Sequence, residues 1–275
     1  MKMQVALLCA CATVGQAWAA PVFQLGVDNN LGFQSVGNKT GGSAIAVGDL
    51  FYGVINIQDI SSNGTTTWNA NNVAPPIDSF TGYFLAQVKS VTATPSSLGT
   101  FYSAQLGVAS SDPNSFFSTA DLTSGMMMKL YTDTTTAYTT GGPVAADIAH
   151  ATDGKYWGGL GITHASSGYW TVAVSPSGVA SASSFGGLDF INNNSGLSWT
   201  KVLDTNCGVS GGCAVDMKFV STFSPLVAGG AWQISSTDPA TLHPVPLPPA
   251  ALLMSSGMLA LAGLFLRRKN RTPRV

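Results

Sequence analysis

The chain contains no glutamate, and this absence restricts the possible folds more than any other feature of the sequence. Charged residues make up only 9% of its 275 residues, whereas exposed helix faces are normally built from Glu, Lys and Arg. Glycine (31 residues), serine, threonine and asparagine are abundant instead, and these residues favour turns and strands. The composition therefore excludes a long helical or coiled-coil protein and favours an all-β fold.

The few charges are unevenly distributed along the chain. Between residues 20 and 266, six lysines oppose thirteen aspartates, which gives a net charge of −7, although the whole chain carries −1. The remaining basic residues lie at the two ends. A surface with this balance repels phosphate groups, so the composition excludes a nucleic-acid partner.

Short apolar runs recur along the central part of the chain, separated by clusters of turn-forming residues. In the run 83–89, Phe84, Ala86 and Val88 share one face while Gln87 and Lys89 share the other, which is the pattern of a half-buried strand. Turn signals such as 61–64 and 192–196 lie between such runs. Residues 20–235 are therefore predicted to form one ectodomain with an antiparallel β-sandwich or jelly-roll-like fold.

One or two short helices are predicted within this β-rich region. Pro143 is suited to the first position of a short helix. Residues 144–151 would follow it in the helix, with Gly154 near the end. A second short helix is predicted near residues 118–122.

The N-terminus has the three parts of a secretory signal peptide. A basic start precedes the apolar run 5–14, and Ala17 and Ala19 form an Ala-x-Ala exit. Residues 1–19 are therefore predicted to enter the Sec translocon and to be cleaved after Ala19. The apolar run is too short to remain as a membrane anchor. A lipoprotein signal at Cys11 is a weaker alternative, because few apolar residues precede it.

The C-terminus combines three features in a fixed order. Residues 236–244 are predicted to form a linker, and prolines keep the stretch that follows it extended. Residues 249–266 carry no charge and would form a helix about 27 Å long, close to the thickness of the bilayer's hydrocarbon core. A transmembrane helix is predicted there. A basic cluster then holds the tail on the cytoplasmic side: Arg267, Arg268, Lys269 and Arg271.

This order of features resembles the PEP-CTERM sorting signal in its VPLPA-type variant, over residues 245–271. The matching residues are Val245, Pro246, Leu247, Pro248 and Ala250, with Pro249 as one extra residue. The resemblance implies a substrate of an exosortase, which is a membrane-embedded cysteine protease. It also implies an exported protein of a Gram-negative bacterium. Such a protein is inserted transiently in the inner membrane and then reaches the cell surface or the extracellular polysaccharide. A plain single-pass anchor is the alternative.

Two cysteines lie close together in the predicted ectodomain. Cys207 and Cys213 enclose five residues, and a disulfide is the usual state of such a pair in an exported chain. Metal binding would need further thiolates or a nearby histidine, and the sequence places none there. We therefore expect a disulfide and no metal ligand set.

One motif points weakly to catalysis. Residues 208–212 match Gly-x-Ser-x-Gly around Ser210, but this pattern needs a strand before it and a helix after it. Residues 214–223 are predicted to be a strand. His150 lies only 60 positions before Ser210, too few for a chymotrypsin-like arrangement. The sequence therefore predicts no catalytic residue and no cofactor.

The leading expectation is a non-enzymatic surface or matrix protein that an exosortase sorts. A carbohydrate-binding module is the first alternative, because aromatic rings stack on sugars, although most such residues pack in cores. The candidate tryptophans are Trp68, Trp157, Trp170, Trp199 and Trp232. Exopolysaccharide is the expected matrix partner. A secreted serine hydrolase is the weaker alternative.

Overall fold

The structure is a computed structural model, and its fold is built almost entirely from β-strands. It describes residues 21, 23–24, 27–42, 44–71, 77–162, 168–175, 178–194, 215–226 and 230–242. The predicted signal peptide, sorting signal and cysteine pair lie outside these residues. Within them, the predicted all-β class is confirmed.

The described part contains twelve strands and two short helices. The first six strands are β1 (Asn29–Lys39), β2 (Leu50–Ser62), β3 (Thr65–Asn69), β4 (Ser79–Ser96), β5 (Gly99–Gly107) and β6 (Met126–Asp133). The others are β7 (Lys155–Gly161), β8 (Tyr169–Ser175), β9 (Gly178–Asn193), β10 (Met217–Pro225), β11 (Ile234–Thr237) and β12 (Ala240–Leu242). The helices are α1 (Thr119–Thr123) and α2 (Val144–Thr152).

The sheet closes on itself as an antiparallel barrel of eight strands. Around the barrel, β1 pairs with β2, β2 with β4, and β9 with β10. The short strands β11 and β12 both pair with β10 and with β1, so together they fill one strand position and close the ring. The predicted sandwich or jelly roll is not confirmed, because one sheet joins its own edge instead of stacking on a second sheet.

The wall between β4 and β9 is built from two different strand pairs. β4 pairs with β6 over Ser79–Phe84 and with β5 over Gln87–Ser96. β9 pairs in the same way with β8 over Gly178–Gly187 and with β7 over Asp189–Asn193. The pair β5–β8 therefore completes one end of the barrel, and the pair β6–β7 completes the other.

Aromatic side chains fill the interior of the barrel. The Trp170 ring lies 5.1 Å from the Phe219 ring and 6.0 Å from the Phe84 ring, measured between centroids. Gly37 and Gly53 pair across β1 and β2 beside Phe84. A Cβ atom on Gly53 would come within 2.8 Å of the Phe84 ring, so glycine at this position makes room for the aromatic core.

A second, smaller core lies on the outside of β2 and β4, where α2 covers the sheet. Pro143 precedes α2 as its N-cap, which confirms the helix that the sequence predicts there. The Thr81 hydroxyl on β4 donates to the Ala151 carbonyl at 2.8 Å and ties the helix to the barrel. The buried side chains of this layer include Val54, Tyr83, Leu85, Ile148 and Ala151.

The barrel continues into the segment for which a linker was predicted. Residues 236–244 were expected to be an extended connection, but β11 and β12 carry the sheet through to Leu242. Leu242 is 1% exposed and packs in the barrel core. The linker prediction is therefore wrong for this segment up to Leu242, because two very short strands give almost no alternation to recognise in a sequence.

Neither described helix has the length and the apolar composition that crossing a membrane requires. The predicted transmembrane segment 249–266 lies beyond the described residues.

Candidate functional site: a polar groove on the outside of the barrel

Strand pairing aligns one uncharged residue from each of eight neighbouring strands on the outer face of the barrel. We call this row the outer belt. Successive members are direct partners across the strands, which lie about 4.8 Å apart. All members are exposed except the last, which is half-buried. From β4 round to β2 the belt consists of Thr92, Ser103, Ala173, Ser183, Thr222, Thr237, Gln34 and Asn56.

One end of the outer belt runs into a cavity of about 230 Å³. The cavity lies between the outer face of the barrel and the loop 134–143, which follows β6. We call it the polar groove. Val36 and Val54 form an apolar part of its wall. Its outward-facing polar side chains are Gln34, Asn56, Tyr138, Thr140, Thr222, Ser224, Ser235 and Thr237.

Two aspartates fix the loop that borders the polar groove. At the start of the loop, Asp133 accepts hydrogen bonds from the Thr135 amide at 2.7 Å and the Thr136 amide at 3.2 Å. Near its end, Asp147 of α2 accepts from the amides of Gly141 at 3.1 Å and Gly142 at 3.0 Å. These bonds satisfy loop amides that have no sheet partner, so the loop has a defined position over the groove.

The same two carboxylates differ in what surrounds them. Burial raises the pKa of Asp133, but hydrogen bonds from Thr135 and the neighbouring amides outweigh burial and hold the pKa below its ordinary value. Asp147 also accepts a hydrogen bond from Trp232 Nε1 at 2.6 Å, which joins the loop, α2 and the segment before β11. Burial, together with the charge of Asp147, raises the pKa of Tyr138, so its phenol remains a protonated donor.

The polar side chains of the groove are not used by the protein itself. Among the described residues, none of the eight groove side chains named above makes a side-chain hydrogen bond to another protein group. The Asn56 Oδ1 atom is buried there without a hydrogen-bond partner. Asn56 itself is half-buried and lines the groove.

The groove is uncharged as well as polar. Among the residues that the structure describes, no Asp, Lys or Arg side chain lines it, and the lining consists of hydroxyl, amide and aliphatic groups. Hydroxyl groups both donate and accept hydrogen bonds, and an amide offers two donors and one acceptor oxygen. This set of groups is suited to holding a neutral ligand with many hydroxyls, and it offers no group for neutralising a charged one.

A wider cleft of about 660 Å³ adjoins the polar groove along β10. The two share Thr222 and Ser224 as lining residues. The cleft adds the exposed ring of Phe101, and it also borders Tyr102 and Phe223, which pack against the core inside the barrel. We call it the aromatic cleft.

A separate polar cluster lies inside the barrel, behind the polar groove. Asp238 is 3% exposed and accepts hydrogen bonds from the hydroxyls of Ser35, at 2.7 Å, and Ser236. Burial raises the pKa of this carboxyl, although hydrogen bonds from Ser221 and the other two serines oppose the shift. Ser35 and Ser236 point inward to Asp238. Because side chains alternate along a strand, the residues next to these two serines point outward and line the groove.

The tryptophans that the sequence offers for sugar stacking are core residues. Trp68, Trp157, Trp170 and Trp232 are each no more than 7% exposed. Their indoles pack against other rings or hydrogen-bond inside the protein, as Trp170 Nε1 does with Ser184 at 3.3 Å. Trp199 lies outside the described residues. The interpretation that these four tryptophans form a sugar platform is therefore replaced by a packing role.

The structure does not test the weak hydrolase motif, because Ser210 lies outside the described residues. His150 is exposed on α2. Within the described ranges, no group of three or more His, Cys, Asp or Glu side chains is placed to hold a metal ion. The disulfide predicted for Cys207 and Cys213 stays a prediction. So do the cleavage at Ala17 and Ala19 and the sorting motif 245–250.

Sequence reasoning missed the polar groove because its residues come from four strands and a loop. The sequence does carry a signal. The polar positions on the outer face of these strands are serine, threonine, asparagine and glutamine, where a solvated face usually carries Lys or Glu. Only the strand register shows that these positions converge.

Comparisons of the chain with protein-family models, with curated proteins and with solved structures find no match.

Proposed function

We propose that the chain is an exported, non-enzymatic surface protein of a Gram-negative bacterium, sorted by an exosortase into an exopolysaccharide-rich matrix. The Sec translocon exports it, and the inner membrane holds it as a precursor. The barrel is the part that works outside the cell. The C-terminal 30 or so residues act as a delivery signal, on the resemblance described above for residues 245–271.

The observation that carries the proposal is the order of the three C-terminal features. Val245–Pro248 is followed by the uncharged segment 249–266 and then by four basic residues within 267–271. The prolines keep residues 245–248 out of helices and sheets, so this extended stretch stays accessible to a protease. The apolar segment and the positive charges stop translocation.

The outer surface of the barrel supports the part of the proposal that concerns the matrix. The outer belt offers uncharged hydrogen-bonding groups along almost the whole circumference, and its one aliphatic member is Ala173. Neutral polysaccharides present hydroxyl groups along their length. Such a surface contacts them without charge repulsion and without burying unpaired ions.

Sorting is tested by removing the prolines of the motif. We expect Pro246→Ala/Pro248→Ala to accumulate as an uncut precursor in the inner membrane of the native host. Pro113→Ala, in an exposed turn of the barrel, is the control and should be processed like the parent. Immunoblots of membrane and medium fractions measure both forms. If the motif variant is processed and released as the parent is, the exosortase proposal is refuted.

The disulfide is part of the same proposal, because export places Cys207 and Cys213 in an oxidising compartment. Closing so short a loop contributes about 2 kcal/mol on chain-entropy grounds. Mass spectrometry of freshly secreted protein, alkylated without reduction, is expected to find both thiols blocked. Two free thiols in that sample would contradict the pairing.

A further inference from the structure

We infer that the polar groove is a saccharide-binding site, and that its ligand is an uncharged polysaccharide. The inference deepens the proposed matrix function and rests on it, since it names the site and the chemical class of the partner. Its structural basis is independent of the C-terminal tail. The basis is the set of unpaired polar side chains that converge on one cavity of about 230 Å³.

The chemistry of the lining selects the ligand class. Four outward hydroxyls on β10 and β11, those of Thr222, Ser224, Ser235 and Thr237, are free to donate or accept. An apolar ligand would strip water from these groups and leave them unpaired, which is unfavourable. A charged ligand would be desolvated without a counter-charge. A ligand with many neutral hydroxyls forms hydrogen bonds with the lining, so polar groups on both sides are paired.

Asn56 supplies one of the amide side chains of the groove. Its Oδ1 is buried without a hydrogen bond, and Asn56 lies at the wall of the groove. A half-turn about the Cβ–Cγ bond exchanges Oδ1 with Nδ2 in space. The amide is therefore able to present either an acceptor or a donor to the ligand. Such an amide adapts to a sugar hydroxyl in either role.

The aromatic cleft extends the site from one sugar to a chain of sugars. It shares Thr222 and Ser224 with the polar groove and adds the exposed ring of Phe101. Phe101 is 40% exposed, so its ring is available for contact with the apolar face of a sugar. A polysaccharide lying across the strands passes from the aromatic cleft into the groove and meets both kinds of group.

The test is affinity gel electrophoresis of the full chain, purified in detergent, through gels that contain one soluble polysaccharide each. The probes are three neutral ones (dextran, a mixed-linkage β-glucan and galactomannan) and the anionic alginate. We expect at least one neutral polysaccharide to retard the parent chain. The groove variant Asn56→Ala/Thr222→Val should bind that polysaccharide about 10-fold more weakly, because it loses two hydrogen-bonding side chains.

A matched control makes the same two substitutions away from the groove. Thr66→Val/Asn69→Ala changes exposed side chains of β3 that line neither cavity, and it should bind as the parent does. Thermal unfolding checks that each variant is folded. Should the groove variant unfold, Gln34→Ala, which alters an exposed groove residue, replaces it with the same expected direction.

Three outcomes would overturn the inference. The first is that no neutral polysaccharide retards the parent, the second is that only alginate does, and the third is that the folded groove variant binds as tightly as the parent. The gel uses purified chain, so its result does not depend on processing at Pro246 and Pro248. A failure of this inference is therefore distinguishable from a failure of the sorting proposal.

Discussion

The surroundings of Asp238 change the chemistry of its carboxyl. Asp238 lies inside the barrel, and its amide donates to the Phe33 carbonyl at 2.8 Å, where the chain passes from β11 to β12. The hydroxyls of Ser35 and Ser236 hold its carboxyl. Burial raises its pKa above the ordinary value of 3.8, because the charged form is poorly solvated. Asp238 therefore helps to hold β11 and β12, which close the barrel, and ionisation of its carboxyl lowers the stability of the fold.

The raised pKa of Asp238 predicts how the stability of the fold changes with pH. A raised pKa in the folded state stabilises the fold below pH 3.8, and the contribution is lost as the pH rises through the raised pKa. Asp238→Asn keeps the shape of the side chain and cannot ionise. We expect its free energy of unfolding, relative to the parent, to increase between acidic and neutral pH. Denaturant titrations at a series of pH values measure this difference, and a difference that stays constant or falls would contradict it.

The two short strands β11 and β12 show most clearly what the sequence does and does not reveal about elements. Apolar runs such as 83–89 predict their strands correctly, and Pro143 predicts the start of α2. Closure by strands of four and three residues leaves no such pattern, so segment 236–242 was expected to be a linker. The sequence also does not predict the two strand pairs β5–β8 and β6–β7 between β4 and β9, because local periodicity does not show which distant strands pair.

Leu242 tests whether β12 belongs to the barrel. Its side chain is 1% exposed, so Leu242→Ala should destabilise the fold by about 2–5 kcal/mol through lost burial and a cavity. Thr241→Ala, on the adjacent outward position, removes only an exposed hydrogen bond to Asn30 and should cost no more than about 1 kcal/mol. Chemical denaturation of the two variants gives both values. Equal, small effects would mean that this segment does not close the barrel.

Asp147 tests the loop that borders the polar groove. Asp147→Ala removes the acceptor for two loop amides and for Trp232 Nε1, and it should destabilise the protein by about 2–3 kcal/mol. The loop 134–143 should then be cleaved faster in limited proteolysis. His150→Ala, on an exposed position of the same helix, is the control. Unchanged stability and unchanged cleavage of Asp147→Ala would show that this carboxylate does not hold the loop.

At the scale of the whole molecule, the barrel ends close to the motif that we propose as the cleavage site. The last described strand ends at Leu242, and the motif begins at Val245. Six residues, 243–248, separate the barrel from the apolar segment, and even when fully extended they span only about 20 Å. In the proposed precursor, the barrel with its polar groove would lie close to the membrane surface. The proposed cleavage in this short stretch would release the barrel.

The most direct test of this account is the intact mass of the protein recovered from the native host. We predict that the form at the cell surface or in the medium contains the barrel through Leu242 and lacks residues 249–266. The full-length chain should be a minor, transient species in the inner membrane. If the inner membrane instead holds the chain permanently with residues 249–266 intact, and no shorter form is found outside, the central claim is wrong.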